Sequence, residues 1–123
     1  MNNDTTQTKL TDRSYKYAVE IVKFIFTIPK TSHIYPLIDQ LLRASTSISA
    51  NIFEAQGASS KKDFAKFYQI AFKSAVETKF WLSLLRDTTD ISKDKIEYFL
   101  TETKNITNIL AASLLTLKGI AKK

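Results

Sequence analysis

Apolar residues recur three and four positions apart in four segments of this chain, the spacing that gathers them on one face of a helix. The first segment spans about Asp12 to Ile28, where Tyr15, Ala18, Val22 and Ile25 repeat with Ile21 and Ile28 beside them. It stops before Pro29, and residues 29 to 35 form a connection. The second spans about Pro36 to Gln56. Pro36 suits a first helical turn, where its missing N–H costs nothing, and Gly57 suits the position just past a helix end. Ile38, Leu41, Leu42, Ser45, Ile48, Ile52 and Ala55 make its apolar face. The third spans about Lys61 to Asp87 and opens on Ser60 and Asp63, spaced as a capping box. Phe64, Phe67, Tyr68, Ala71, Ala75, Leu82 and Leu85 line its inner face. The fourth spans about Lys93 to Leu117, with Ser92 as N-cap. Ile96, Thr103, Leu110 and Leu117 hold one heptad position; Phe99, Ile106, Ser113 and Ile120 follow three residues after each, and Leu100 and Leu114 widen the stripe.

Four such helices with short links predict an all-α, antiparallel up-down-up-down four-helix bundle over residues 11 to 119. Residues 1 to 10 read as a disordered polar tail and residues 120 to 123 as a basic tail. Composition agrees, because a chain of 123 residues with only two Gly and two Pro has few of the breakers that a many-turned sheet needs. No cysteine is present, so disulfides and thiolate chemistry are excluded, and a reducing compartment fits. No apolar run approaches the ~20 residues of a membrane span, and Met1 to Thr8 lack the apolar stretch of a signal peptide. These features point to a cytoplasmic protein with no membrane partner.

The catalytic inventory is thin. The one histidine, His33, lies in the first connection, and glycines only at 57 and 119 leave no Gly-rich phosphate loop. Glu20, Glu54, Glu77 and Glu102 give one carboxylate per helix, but the Glu-x-x-His motifs of bundle di-metal sites are absent. No catalytic, cofactor-binding or metal residue is therefore expected, and no cofactor. In the second helix Gln40, Arg43, Ser47, Asn51 and Glu54 climb as a polar stripe among small residues. Close packing would half-bury them, and buried charge needs a partner. Arg43, Asn51, Glu54 and Glu77 are expected to form a structural polar network, with either Arg43 meeting Glu77 across the bundle or Glu54 meeting a basic residue elsewhere; direct ligand contact is the alternative.

Eighteen Lys and Arg against twelve Asp and Glu leave a charge of +6, which permits attraction to polyanions. The excess falls in rows. Lys62, Lys66, Gln69 and Lys73 share the outer face of the third helix, and Lys9, Arg13, Lys16 and Lys23, with Glu20 among them, run along the first. Lys118, Lys122 and Lys123 close the chain. These rows are either solvated faces or phosphate contacts, for which Arg13, Lys16, Lys23, Lys62, Lys66 and Lys73 are the candidates. In the run from Lys79 to Arg86, Leu82 and Leu85 fill the core face, so Phe80, Trp81 and Leu84 point elsewhere. Either another subunit covers them or they pack under the first connection near Ile34 and Tyr35.

The run from Leu37 to Ile52 (Leu-Ile-Asp-Gln-Leu-Leu-Arg-Ala-Ser-Thr-Ser-Ile-Ser-Ala-Asn-Ile), continuing through Glu54 and Gly57, resembles a family signature. The family is the bacterial four-helix bundle proteins first known from intervening sequences in large-subunit ribosomal RNA genes. Ser60 to Phe64, Ile70-Ala71, Ser74 and Glu77 extend the likeness, which covers about residues 12 to 115. The resemblance implies a ring-like homopentamer without enzymatic activity. The family includes the accessory variability determinant of diversity-generating retroelements, Avd, a basic pentamer that binds nucleic acid and a reverse transcriptase. Phe80-Trp81-Leu82 is similar to a segment of Avd proteins, whereas Arg43 to Glu54 is closer to the intervening-sequence branch. The expectation is an Avd-like accessory protein binding RNA or DNA backbones, and possibly a reverse transcriptase. The alternative is an oligomeric scaffold with a protein partner and no nucleic-acid role. A carboxylate-based metalloenzyme is a distant third.

Overall fold

A computed structural model describes residues 2–122, with side chains described for 9–119. Four helices follow in order: α1 (Asn2–Phe26), α2 (Tyr35–Ala55), α3 (Lys61–Thr88) and α4 (Lys93–Lys122). Each packs on its neighbours in sequence and α4 returns to α1, while α1 and α3, like α2 and α4, show no close backbone approach among the described residues. This is the expected all-α antiparallel four-helix bundle.

Local chemistry sets the helix ends. Before Pro29, the Thr27 and Ile28 N–H groups fold back onto the carbonyls of Phe24 and Ile25, at 3.0 and 3.1 Å, and close the last turn of α1. At the start of α2 the N–H of Tyr35 reaches Thr31 O and those of Leu37 and Ile38 reach Ile34 O. Pro36, between them, has no N–H to satisfy. Ser60 caps α3 by accepting from Asp63 N–H at 3.0 Å. The Asp63 carboxylate does not close a capping box onto Ser60; it accepts from Ser59 N–H instead, at 3.2 Å. Ser92 caps α4 through Lys95 N–H at 3.4 Å. Gly57 is not a left-handed cap: no described residue has positive φ, and its N–H bonds Glu54 O within an ordinary turn.

The core departs from expectation at α1. The helix starts upstream of Asp12, and Leu10, assigned by its sequence context to the tail, is 2% exposed. The side chains of residues 1 to 8 and of the basic tail, with Ile120, Lys122 and Lys123, lie outside the described residues. The buried face of α1 is Leu10, Ser14, Tyr17, Ile21, Phe24 and Ile25, continued by Ile28 just past its end, whereas Tyr15 is 57% exposed against Phe53. The faces of α2, α3 and α4 bury the expected Ile38, Leu41, Ile48, Ile52, Tyr68, Ala71, Ala75, Leu82, Leu85, Ile96, Phe99, Thr103, Ile106 and Leu110. Each fully buried Ile or Leu contributes about 1.5–3 kcal/mol relative to exposure.

The seams differ in width. Between α2 and α3 small residues meet, and the Ser74 hydroxyl donates to Ser47 Oγ at 2.9 Å. Between α1 and α4 the fill is aromatic: Phe99 packs against Tyr17 and Phe24 with ring centroids 6.2 and 5.2 Å apart. Large rings hold those two backbones apart, so α1 and α4 share the least contact of the four seams. Tyr17 also bridges this seam through a 2.6 Å hydrogen bond to Thr103 Oγ1.

A candidate lysine-rimmed groove between α3 and α4

The two basic rows sit on helices with no close backbone approach to each other, and each borders α4: Arg13 meets Glu102, and Lys62 and Lys66 share a groove with Lys118. Their electrostatics differ as well. On α1, Arg13 is held by Glu102 of α4 through two hydrogen bonds of 2.8 and 2.9 Å. That pairing raises the Arg13 pKa and lowers that of Glu102, to which Lys16 also contributes. Lys23 lines a 480 Å³ hollow that it shares with Glu20, Asp94, Lys95 and Tyr98, where charges of both signs mix. Tyr98 donates to Glu20 at 3.0 Å, and this bond raises its own pKa. The α1 row is thus largely balanced by acid.

The α3 row is not. Among the described residues the salt bridges engage Arg13, Arg43 and Arg86, and none engages Lys62, Lys66 or Lys73. Lys61, Lys62 and Lys66 of α3 and Lys118 of α4 surround one groove of about 670 Å³. Its remaining lining is Ala65, Gln69, Leu114 and Leu117. Residues 103–123 contain no Asp or Glu, and the one acid in residues 61–76 is Asp63, which is turned to Ser59. Lys118 stands far from the α3 row in sequence, and only the packing of α3 on α4 brings it to Lys61, Lys62 and Lys66.

Further along α3 the same outer face turns apolar. Positions 62, 66, 73, 80 and 84 are spaced by four and seven residues, so Phe80 and Leu84 continue the line of the lysines. Phe80 is 56% exposed; Trp81 and Leu84 are half-buried. Trp81 packs edge-on against Phe80, centroids 4.9 Å apart, and its Nε1–H donates to Glu77 at 3.0 Å.

The expected Arg43–Glu77 contact does not form. Arg43 has a 74% exposed side chain and pairs one turn back with Asp39, at 2.9 Å, which raises its pKa. Asn51 donates to Ser47 O and Oγ, at 2.8 and 3.0 Å, so the network of this stripe is Asn51–Ser47–Ser74. Glu54 is exposed, as is His33. The carboxylates of Glu20, Glu77 and Glu102 sit on Tyr98, Trp81 and Arg13 respectively. No group of three or more His, Asp or Glu is placed to hold a metal ion among the described residues. Nor is any helix among them long and apolar enough to cross a membrane.

Residues 6–112 match the profile of the family described as 23S rRNA-intervening sequence protein. The chain belongs to that family. The crystal structure of a protein of unknown function from the S23 ribosomal protein family of Bacteroides thetaiotaomicron has the same fold. It superposes with a TM-score of 0.82 at 33% identity, covering 89% of this chain and 97% of that one. No curated protein matches the sequence. As a 23S rRNA-intervening sequence protein, the chain carries the Arg43 to Glu54 stripe along the α2–α3 seam, through Ser47 and Ser74, and the lysine groove between α3 and α4.

Proposed function

We propose that this chain is a non-enzymatic accessory protein of the cytoplasm that binds RNA or DNA through the phosphate backbone and works as a homopentamer. The observation that carries the reading is the uncompensated basic surface at one end of the bundle, where Lys61, Lys62, Lys66 and Lys118 ring a groove and Lys73 continues the face. Lysines are compact, hydrated point charges that suit phosphates and read no sequence by themselves. The likeness of Phe80-Trp81-Leu82 to Avd proteins supports a reverse transcriptase as a further partner. Support for self-association comes from the exposed Phe80 beside half-buried Trp81 and Leu84, which a neighbouring subunit would cover. A pentamer multiplies the basic surfaces fivefold.

Fluorescence anisotropy with labelled structured RNA and with DNA tests the reading. Binding should weaken steeply between about 50 and 200 mM salt, and each lysine neutralised in the α3 row should flatten the salt slope by about one. Binding that ignores salt, or none at low salt, refutes it. Light scattering reports the assembly, and a monomer at working concentration refutes the pentamer. A second reading, a scaffold with a protein partner, is favoured by the apolar half of the α3 face. It predicts that partner complexes survive charge reversal at Lys62, Lys66 and Lys73.

A further inference from the structure

The groove between α3 and α4 has two chemistries. Lysines stand on both walls, Lys61, Lys62 and Lys66 on α3 and Lys118 on α4, while Leu114 and Leu117 form an apolar floor with Ala65. At about 670 Å³ it is a recess of the size that receives a small organic group rather than a flat charged face. A surface selected only for the outside of a duplex has no use for such a floor. Duplexes turn their phosphates outward and hide the base faces in the stack. A duplex laid on this groove would meet the lysines and press sugar–phosphate, which is polar, over half-buried leucine.

An unpaired strand matches both parts. Its phosphates are anionic and flexible enough to reach lysines on either wall. Its bases expose flat apolar faces to water, and covering them against side chains is favourable for every base. Gln69, the one uncharged polar side chain of the lining, offers a single amide, too little to read a sequence. Resting on the nucleic-acid reading above, we infer that the α3–α4 groove takes a single-stranded segment, seating a base face on Leu114 and Leu117 while the surrounding lysines hold the flanking phosphates.

The full-length protein should be titrated by anisotropy against labelled oligothymidylate and against a DNA hairpin duplex with the same number of phosphates. The single strand should bind about tenfold more tightly, the order expected for one base covered. Leu117→Asn should abolish that advantage, with circular dichroism checking the fold. Ala65→Phe adds a stacking ring to the floor and should raise single-strand affinity about tenfold without changing duplex binding. Equal or tighter binding of the duplex overturns the inference and leaves the nucleic-acid reading standing. So does an Ala65→Phe variant that changes neither or both. Salt-independent binding, or none to either probe, overturns the nucleic-acid reading itself. Preference for an acidic amphipathic peptide over oligothymidylate likewise overturns both.

Discussion

The hydrogen bond that ties α1 to α4 has a direction that a double-mutant cycle can read. Tyr17 is 1% exposed and its hydroxyl lies 2.6 Å from Thr103 Oγ1. Thr103 has one hydroxyl proton, and it goes to Phe99 O at 2.6 Å. Tyr17 is therefore the donor and Thr103 Oγ1 the acceptor. Tyr17→Phe removes the donor and leaves the Thr103 proton satisfied, at a cost of about 1 kcal/mol. Thr103→Val keeps the shape but strands a buried phenol O–H, at a cost of about 2 kcal/mol. The double variant removes both polar partners and should cost no more than Thr103→Val alone, a coupling of about 1 kcal/mol. Urea unfolding followed by circular dichroism, at one fixed protein concentration, measures all four corners of the cycle. Each kcal/mol should also move Tm by about 4 °C. Additive losses would refute the coupling, and a Tyr17→Phe cost exceeding that of Thr103→Val would refute the donor assignment.

Other outcomes follow from the same interactions. Burial pushes the Tyr68 phenol up to about 12 from its ordinary 10.0, and pushes Tyr17 higher still. Both groups fold protonated, so their contribution is complete below pH 10 and fades as pH climbs toward 12. Alkaline unfolding should accompany the tyrosinate absorbance of these rings, and ionisation of either ring near its ordinary pKa of 10.0 in a still-folded chain would contradict this. Ser60→Ala removes the cap on Asp63 N–H and should cost about 1 kcal/mol, whereas Ser60→Gly should cost only a few tenths. Arg43→Gln should leave the thermal midpoint unchanged, because its pair with Asp39 is local and solvated; a marked loss would restore the cross-bundle contact.

How much was legible in the sequence varied with the kind of interaction. The inner faces of α2, α3 and α4 follow from apolar periodicity because burial of Ile, Leu and Phe dominates there. On α1 the same reasoning chose Tyr15 and Val22, since a buried serine and tyrosine do not look like core. Ser14 and Tyr17 are buried because their hydroxyls are bonded, Ser14 to Thr11 O at 3.1 Å and Tyr17 to Thr103. The polar stripe of α2 was visible, but not its partners. A charge with a partner one turn away, as Arg43 has Asp39, need not order a long side chain across the bundle. The basic row of α3 was plain from spacing, whereas its apolar neighbour surface was not. Leu114, Leu117 and Lys118 stand some fifty residues from Lys66, and their meeting depends on how α3 and α4 cross.

The order of contacts between the helices sets how this chain can acquire its structure. α2, α3 and α4 each rest on the helix before them across short connections, so most contacts join segments near one another in sequence. Such topologies fold fast, because little loop entropy is spent before contacts repay it. The exception is the aromatic seam of Tyr17, Phe24 and Phe99, which joins the two ends of the chain. It has the highest closure cost and the least backbone contact to offset it. Hairpin α2–α3, the most extensive seam, should therefore nucleate first and α1 should dock against α4 last. Native-state amide exchange should accordingly release α1 before α2 and α3.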